Sequence, residues 1–198
     1  MKKMHGISTK AFAALLAVTL LVGSVIGGTL AWLTSKSDSL VNTFTIGNVA
    51  ITLEETTGND YKVTPGVPVA KDPKVTVTAE SEDCWVFVKI EKSAWSEGLT
   101  YDVRTGENGW TELTGTPGVY YREVKHDDLN REFYVLAGDD KNPNGIVKVD
   151  EKLTELDAKR PTLIFTAYAI QQEGFNDSEK SDSENAAAAW KAIEEQSK

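Results

Sequence analysis

Two histidines, His5 and His126, and one cysteine, Cys84, are all the imidazole and thiol in 198 residues. A single thiol excludes an intrachain disulfide, so the fold rests on its core. The histidine count excludes a zincin centre, which needs two histidines one helical turn apart with a glutamate between them. No Gly-x-Ser-x-Gly elbow, phosphate-cradling loop or dinucleotide fingerprint is present. There is no repeat of 20–50 residues. An LPxTG-like sorting motif is also missing, which removes one route of cell-wall attachment.

Acidic residues are missing from the first 31 positions, which hold three of the 21 Lys and Arg and none of the 30 Asp and Glu. The pattern there is that of a signal peptide. Lys2, Lys3 and Lys10 form a basic start, and Ala11 to Ile26 is an apolar run broken only by Thr19, Gly23 and Ser24. Gly27-Gly28 then leads to Thr29 and Ala31, small residues at the −3 and −1 positions. Cleavage is placed between Ala31 and Trp32, which removes His5. The rival reading is a retained anchor, because the 23 residues from Ala11 to Leu33 carry no charge and are long enough to span a bilayer. The glycine pair and the small residues favour removal, and both readings export the remainder.

That remainder has 18 basic and 30 acidic residues, a net charge of −12. Such a surface is soluble and self-repelling, and it argues against nucleic acid or anionic lipid as partners. Membrane contact is expected only through the signal segment before cleavage.

After residue 31 the chain reads as mostly β. "TFTIGNVAITLEE" sets Phe44 and Ile46, then Val49, Ile51 and Leu53, at period two on either side of Gly47. Pro65-Gly66 suits the middle of a type II turn. Further strands are expected at "VTVTAE", "CWVFVKIEK", "GVYYREV", "EFYVLA", "GIVKVD" and "PTLIFTAYAIQQ". In "CWVFVKIEK", Cys84, Val86, Val88 and Ile90 line one face, while Trp85 and Phe87 begin the other. The strand therefore needs cover from both sides. "LTELDAKR" suits a helical turn before the last strand. "NAAAAWKAIEEQ" is a helix former with Ala186, Ala189, Trp190 and Ile193 on one face, capped by Asp182 or Ser183. The expected organisation is a signal peptide at 1–31, a jelly-roll-like antiparallel β-sandwich at 32–175, and a polar linker with an amphipathic helix at 176–198. The helix stripe is expected to pack on the sandwich.

Little in this pattern points to catalysis, and no catalytic residue, metal or cofactor is assigned. Cys84 and His126 are the one nucleophilic pair available, but Cys84 lies in an apolar strand and His126 in the polar "KHDDLN". "DKNPNGIVKVDE" fits a calcium-loop pattern through Asp140, Asn142, Asn144, Gly145 and Glu151. Against it stand the two neutral asparagines, Pro143 and flanks that read as strands, so a hairpin turn at Asn144-Gly145 is the plainer reading. Trp95, Trp110, Tyr101, Tyr120 and Tyr121 suit either a glycan-stacking platform or the core and rim of a sandwich, and the second is preferred.

One resemblance bears on function. The lysine-bearing start, the apolar run and Gly27, Gly28, Thr29 and Ala31 come first. Trp32, then Asn42, Phe44 and Gly47, and the acidic strand ending in Leu53-Glu54 complete the pattern. Together they resemble the TasA/camelysin family of Gram-positive bacteria. The ending "LIFTAYAIQQEGF" followed by "AAAAW" looks like members of the same group. The specific part covers about 30 residues; beyond it only the strand pattern matches.

The resemblance implies processing by a SipW-type signal peptidase, a jelly-roll-like sandwich, and self-association into fibres of an extracellular biofilm matrix. In such fibres an N-terminal segment completes a neighbour's sheet, which here would be Trp32 to about Val41, with Leu33, Leu40, Val41 and Phe44 as its apolar side chains. The camelysin branch is classed as metallopeptidase, but this chain lacks the histidine pair for that chemistry. The expectation is a secreted, non-enzymatic structural protein. A cell-surface module for glycan or calcium is the alternative.

Overall fold

Ten consecutive residues, Cys84–Ser93 (β5), organise the molecule because their first half is apolar on both faces. Cys84, Val86 and Val88 are fully buried on one side, and Trp85 and Phe87 on the other. A strand of this kind is stable only as the middle layer of three. The computed structural model describes residues 43–46, 48–58, 61–107, 109–153 and 160–196. These belong to one compact unit, Ser39–Lys198.

The central layer is a five-stranded sheet. Its long partner strand, Thr162–Gln171 (β11), runs antiparallel to β5 over ten residue pairs, from Thr162 opposite Ser93 to Gln171 opposite Cys84. Val119–Val124 (β8) lies on the other side of β5, followed by Thr111–Glu112 (β7). Thr43–Ile46 (β1) completes the sheet beyond β11.

A second layer covers the Val86/Val88 face with two antiparallel three-stranded sheets. One orders Ile51–Glu54 (β2), Lys74–Val77 (β4) and Glu132–Tyr134 (β9). The other orders Val69–Ala70 (β3), Ile146–Val149 (β10) and Leu99–Thr100 (β6). The core between the layers joins Val86, Val88, Phe165 and Ala167 to Ile51, Leu53, Val75, Phe133 and Val149.

The Trp85/Phe87 face is covered by the helix Asp182–Gln196 (α1). Ala186, Ala189, Trp190 and Ile193 all pack against Trp85, Phe87, Tyr121 and Ile170, as the sequence stripe predicts. Trp190 sits 5.3 Å from Phe87 and 5.2 Å from Tyr168, ring centre to ring centre.

The fold is a mainly β sandwich with a C-terminal helix, and it departs from expectation in three places. The cap of α1 is neither Asp182 nor Ser183 but Ser181. Its backbone N–H and hydroxyl both donate to Glu184 Oε2, at 2.9 and 2.7 Å, and the Glu184 N–H donates back to Ser181 Oγ at 3.4 Å. This capping box starts the helix one turn earlier than the alanine run suggests. As expected, the break in "TFTIGNVAITLEE" separates two strands, and β1 and β2 lie in different sheets. "EFYVLA" pairs as a strand only at Glu132–Tyr134, and Leu136 then bridges to Val103. The sheets are not wholly antiparallel, because β1 runs parallel to β11. A chain that crosses to the other layer after β1 has no hairpin to impose the opposite direction.

Pro65-Gly66 forms the expected turn. The Val67 N–H donates to the Thr64 carbonyl at 3.0 Å, and Gly66 has φ +73°, the value a type II turn needs at its third residue. The turn proposed at "LTELDAKR" falls largely outside the described residues, as does Gly47.

A candidate assembly edge on the last strand

Among the described residues, the outer side of β11 is paired only over its second half. β1 pairs in parallel with Ala167 to Ile170, Thr43 opposite Ala167 and Ile46 opposite Ile170. From Thr162 to Thr166, β5 is the only strand that pairs with β11 among the described residues. This stretch, "TLIFT", carries no charge and no proline inside it. Phe165 turns into the core at 8% exposure, while Ile164 is 40% exposed. A β-prone, uncharged stretch of this kind is a good partner for a further strand.

A polar clasp ties the second layer to β11 behind this stretch. The Lys71 ammonium donates to both Glu55 carboxylate oxygens, at 2.8 and 2.9 Å, and lies 4.9 Å from the centre of the Tyr61 ring and 5.5 Å from that of Phe165. Tyr61 donates to Glu55 Oε1 at 2.6 Å, and burial, reinforced by that carboxylate, pushes its phenol above the usual range. Asp72 Oδ1 accepts the backbone N–H groups of Thr56 and Thr57, each at 3.0 Å, and the Thr57 hydroxyl at 2.9 Å. Its other oxygen takes the Thr56 hydroxyl. Desolvation raises the Asp72 pKa, but these donors prevail and hold it below the ordinary carboxylate value. The clasp fixes the 55–61 loop on the layer that faces Phe165.

The segment expected to act in assembly lies mostly outside the described residues. Trp32, Leu33, Leu40 and Val41 belong there, as do the cleavage residues Thr29 and Ala31. Phe44 is in β1, with its backbone opposite Tyr168.

The alternative sites are dispersed. Cys84 is fully buried, and burial pushes its thiol up to about 12. His126 follows two residues after Val124, the partner of Cys84, but its ring Nδ1 lies 2.9 Å from the Ser81 carbonyl and its backbone N–H donates to Asp83 Oδ1 at 2.7 Å. Asp140, Asn142 and Asn144 sit in the loop after Ala137, where Asp139 Oδ1 accepts the Lys141 and Asn142 N–H groups at 2.9 and 2.6 Å. Glu151 lies after β10, its side chain against Gly66. No group of three or more His, Cys, Asp or Glu among the described residues is placed to hold a metal ion.

Of the five aromatics, Trp110 and Tyr121 are buried. The Trp95 indole donates to the Leu99 carbonyl at 2.7 Å and stands edge-on to Tyr101 at 5.9 Å. Trp95, Tyr101 and Tyr120 all pack half-buried against the inter-sheet core. Core and rim describe these residues.

The parallel pairing on the outer side of β11 was not foreseen, because an uncharged β run behind Pro161 says nothing of which strand lies beside it. Comparison of the chain with protein families, curated proteins and solved structures found no match.

Proposed function

We propose that this protein is an exported, non-enzymatic structural subunit that assembles by β-strand addition into extracellular fibres, in the manner of the TasA/camelysin family it resembles. The observation that carries this reading is the parallel pairing of β1 with Ala167–Ile170 of β11, beside Thr162–Thr166, which no other described strand but β5 pairs. A neighbour's segment entering in the same register would set its Val41 opposite Phe165 and its Leu40 opposite Ile164, apolar against apolar. In a fibre, residues 32–41 of one copy would occupy the β11 edge of the next, with backbone hydrogen bonds supplying affinity and alternate side chains setting register.

Processing by a SipW-type peptidase after Ala31 would free eleven residues, 32–42, ahead of β1. Cleavage would then release the subunit and its connector in one step. Electron microscopy of the chain from Trp32 onwards should show filaments. The same chain without residues 32–41, or with Leu40→Pro and Val41→Pro, should show none. Filaments that persist in both altered chains, or an intact chain that never forms them across salt and pH, would overturn the proposal.

A further inference from the structure

Of the six prolines only Pro73 follows an aspartate, and that aspartate is Asp72, on which the polar clasp closes. An aspartyl–prolyl bond is labile to acid because the side chain can attack the carbonyl carbon of its own residue. Proline is the better leaving group there, since its nitrogen belongs to a tertiary amide and carries no hydrogen. In this fold the attack is blocked. Both Asp72 oxygens are held by Thr56 and Thr57, which donate two backbone N–H groups and two hydroxyls. Asp72 is 7% exposed and Pro73 is buried beside it, so water is kept out as well. The Pro73 carbonyl is fixed in turn, accepting the Val135 N–H at 2.8 Å.

We infer that Asp72–Pro73 is an acid-triggered self-cleavage site for which Thr56 and Thr57 are the latch. The charged neighbours are engaged elsewhere. Lys71 donates to Glu55, which also accepts from Tyr61, and Lys74 pairs with Glu132 at 3.1 Å. Burial raises the Asp72 pKa, but the four neutral donors outweigh it and keep the carboxylate ionised below the ordinary range. As pH falls through the folded value, the carboxylate takes a proton, becomes a poorer acceptor and leaves the clasp. One Oδ then attacks the Asp72 carbonyl carbon, the acid proton passes to the Pro73 nitrogen, and the C–N bond breaks. Pro73 leaves as a secondary amine, and one water opens the cyclic anhydride at Asp72 to two carboxyl groups. No other reactant is needed.

The cut falls between β3 and β4. It leaves β1, β2 and β3 on one fragment, held to the other by strand pairing and core contacts rather than by main chain. In a fibre built by strand addition, the connector would then sit on a fragment separate from the body of its own subunit, and acid would loosen the fibre. That consequence rests on the assembly reading, whereas the cleavage rests on Asp72 alone.

Mass spectrometry of the chain from Trp32 onwards reads the cut as two fragments, one ending at Asp72 and one beginning at Pro73, whose masses sum to the chain plus one water. At about pH 4, where a free aspartate is half protonated, the folded chain should stay whole. Thr56→Val with Thr57→Val, which removes two hydrogen bonds to the charged group, should be cut at least about tenfold faster. Thr56→Ser with Thr57→Ser keeps both hydroxyls and should resist like the unaltered chain. Circular dichroism checks the fold of each, and Thr57→Val alone replaces the valine pair if that pair does not fold. The unaltered chain unfolded in urea at the same pH should be cut at least as fast as the valine variant. Asp72→Glu, whose longer side chain closes the ring far more slowly, should be uncut in urea. A folded valine variant no faster than the unaltered chain, a serine variant as fast as the valine one, an uncut chain in urea, or a cut that survives Asp72→Glu would overturn the inference. Cleavage of a chain that never forms filaments would leave the site and remove only its bearing on assembly. Filaments from a chain whose Asp72–Pro73 bond holds even in urea would do the reverse.

Discussion

Asp72 shows how one carboxylate fixes a loop. Four donors from Thr56 and Thr57 converge on it, and hydrogen bonds to a charged group contribute about 1.5–3 kcal/mol each when buried. Its pKa is lower folded than unfolded. The stability it contributes is therefore present above the unfolded carboxylate value of about 3.9 and is lost as pH falls through the folded value. Asp72→Asn should lower stability by about 1.5–3 kcal/mol at neutral pH and flatten the decline below about pH 4, read from denaturant midpoints between pH 2 and 7. Equal acid sensitivity in both proteins would assign the decline to other groups. The Lys71–Glu55 pair beside it is less telling, because a partly exposed ion pair returns little net free energy.

At the scale of elements, α1 bears the largest single contribution outside the sandwich. Trp190 is 5% exposed and fills the space between Phe87 and Tyr168. Trp190→Ala should cost about 3–5 kcal/mol and expose the Trp85/Phe87 face, seen as a lower melting temperature and increased dye binding. The double-faced character of β5 was legible because period-two patterning reports burial on each face independently. For the same reason the α1 stripe was legible from Ala186, Ala189, Trp190 and Ile193. Partnership was not: alternation says which side of a strand is buried, never which strand lies beside it. The parallel join of β1 to β11 depends on contacts more than 120 residues apart in sequence. The helix start was missed because Ser181 and Glu184 cap through a polar run that reads as linker.

For the molecule as a whole, charge and edge pull in opposite directions. A net charge of −12 on residues 32–198 opposes contact between copies, whereas the proposed assembly uses the uncharged stretch of β11. Screening lengths shrink from about 30 Å at 0.01 M to about 8 Å at 0.15 M ionic strength, so salt should relieve the repulsion without touching the strand ladder. The concentration at which filaments first sediment should therefore fall as sodium chloride rises over that range. A rise instead would mean that charge pairs hold the copies together.

The pairing of β5 with β11 also governs the order in which the chain completes itself. The ribosome delivers Cys84–Ser93 long before Thr162–Gln171, and α1 comes last of all. Until then β5 has β8 along one side, but its other side and its Trp85/Phe87 face stay bare. A nascent chain halted before residue 162 holds a sticky, half-dressed strand that β11 and α1 have yet to clothe. A chain that lacks residues 162–196 should therefore bind a hydrophobic dye and be cut by protease more readily than one that has them.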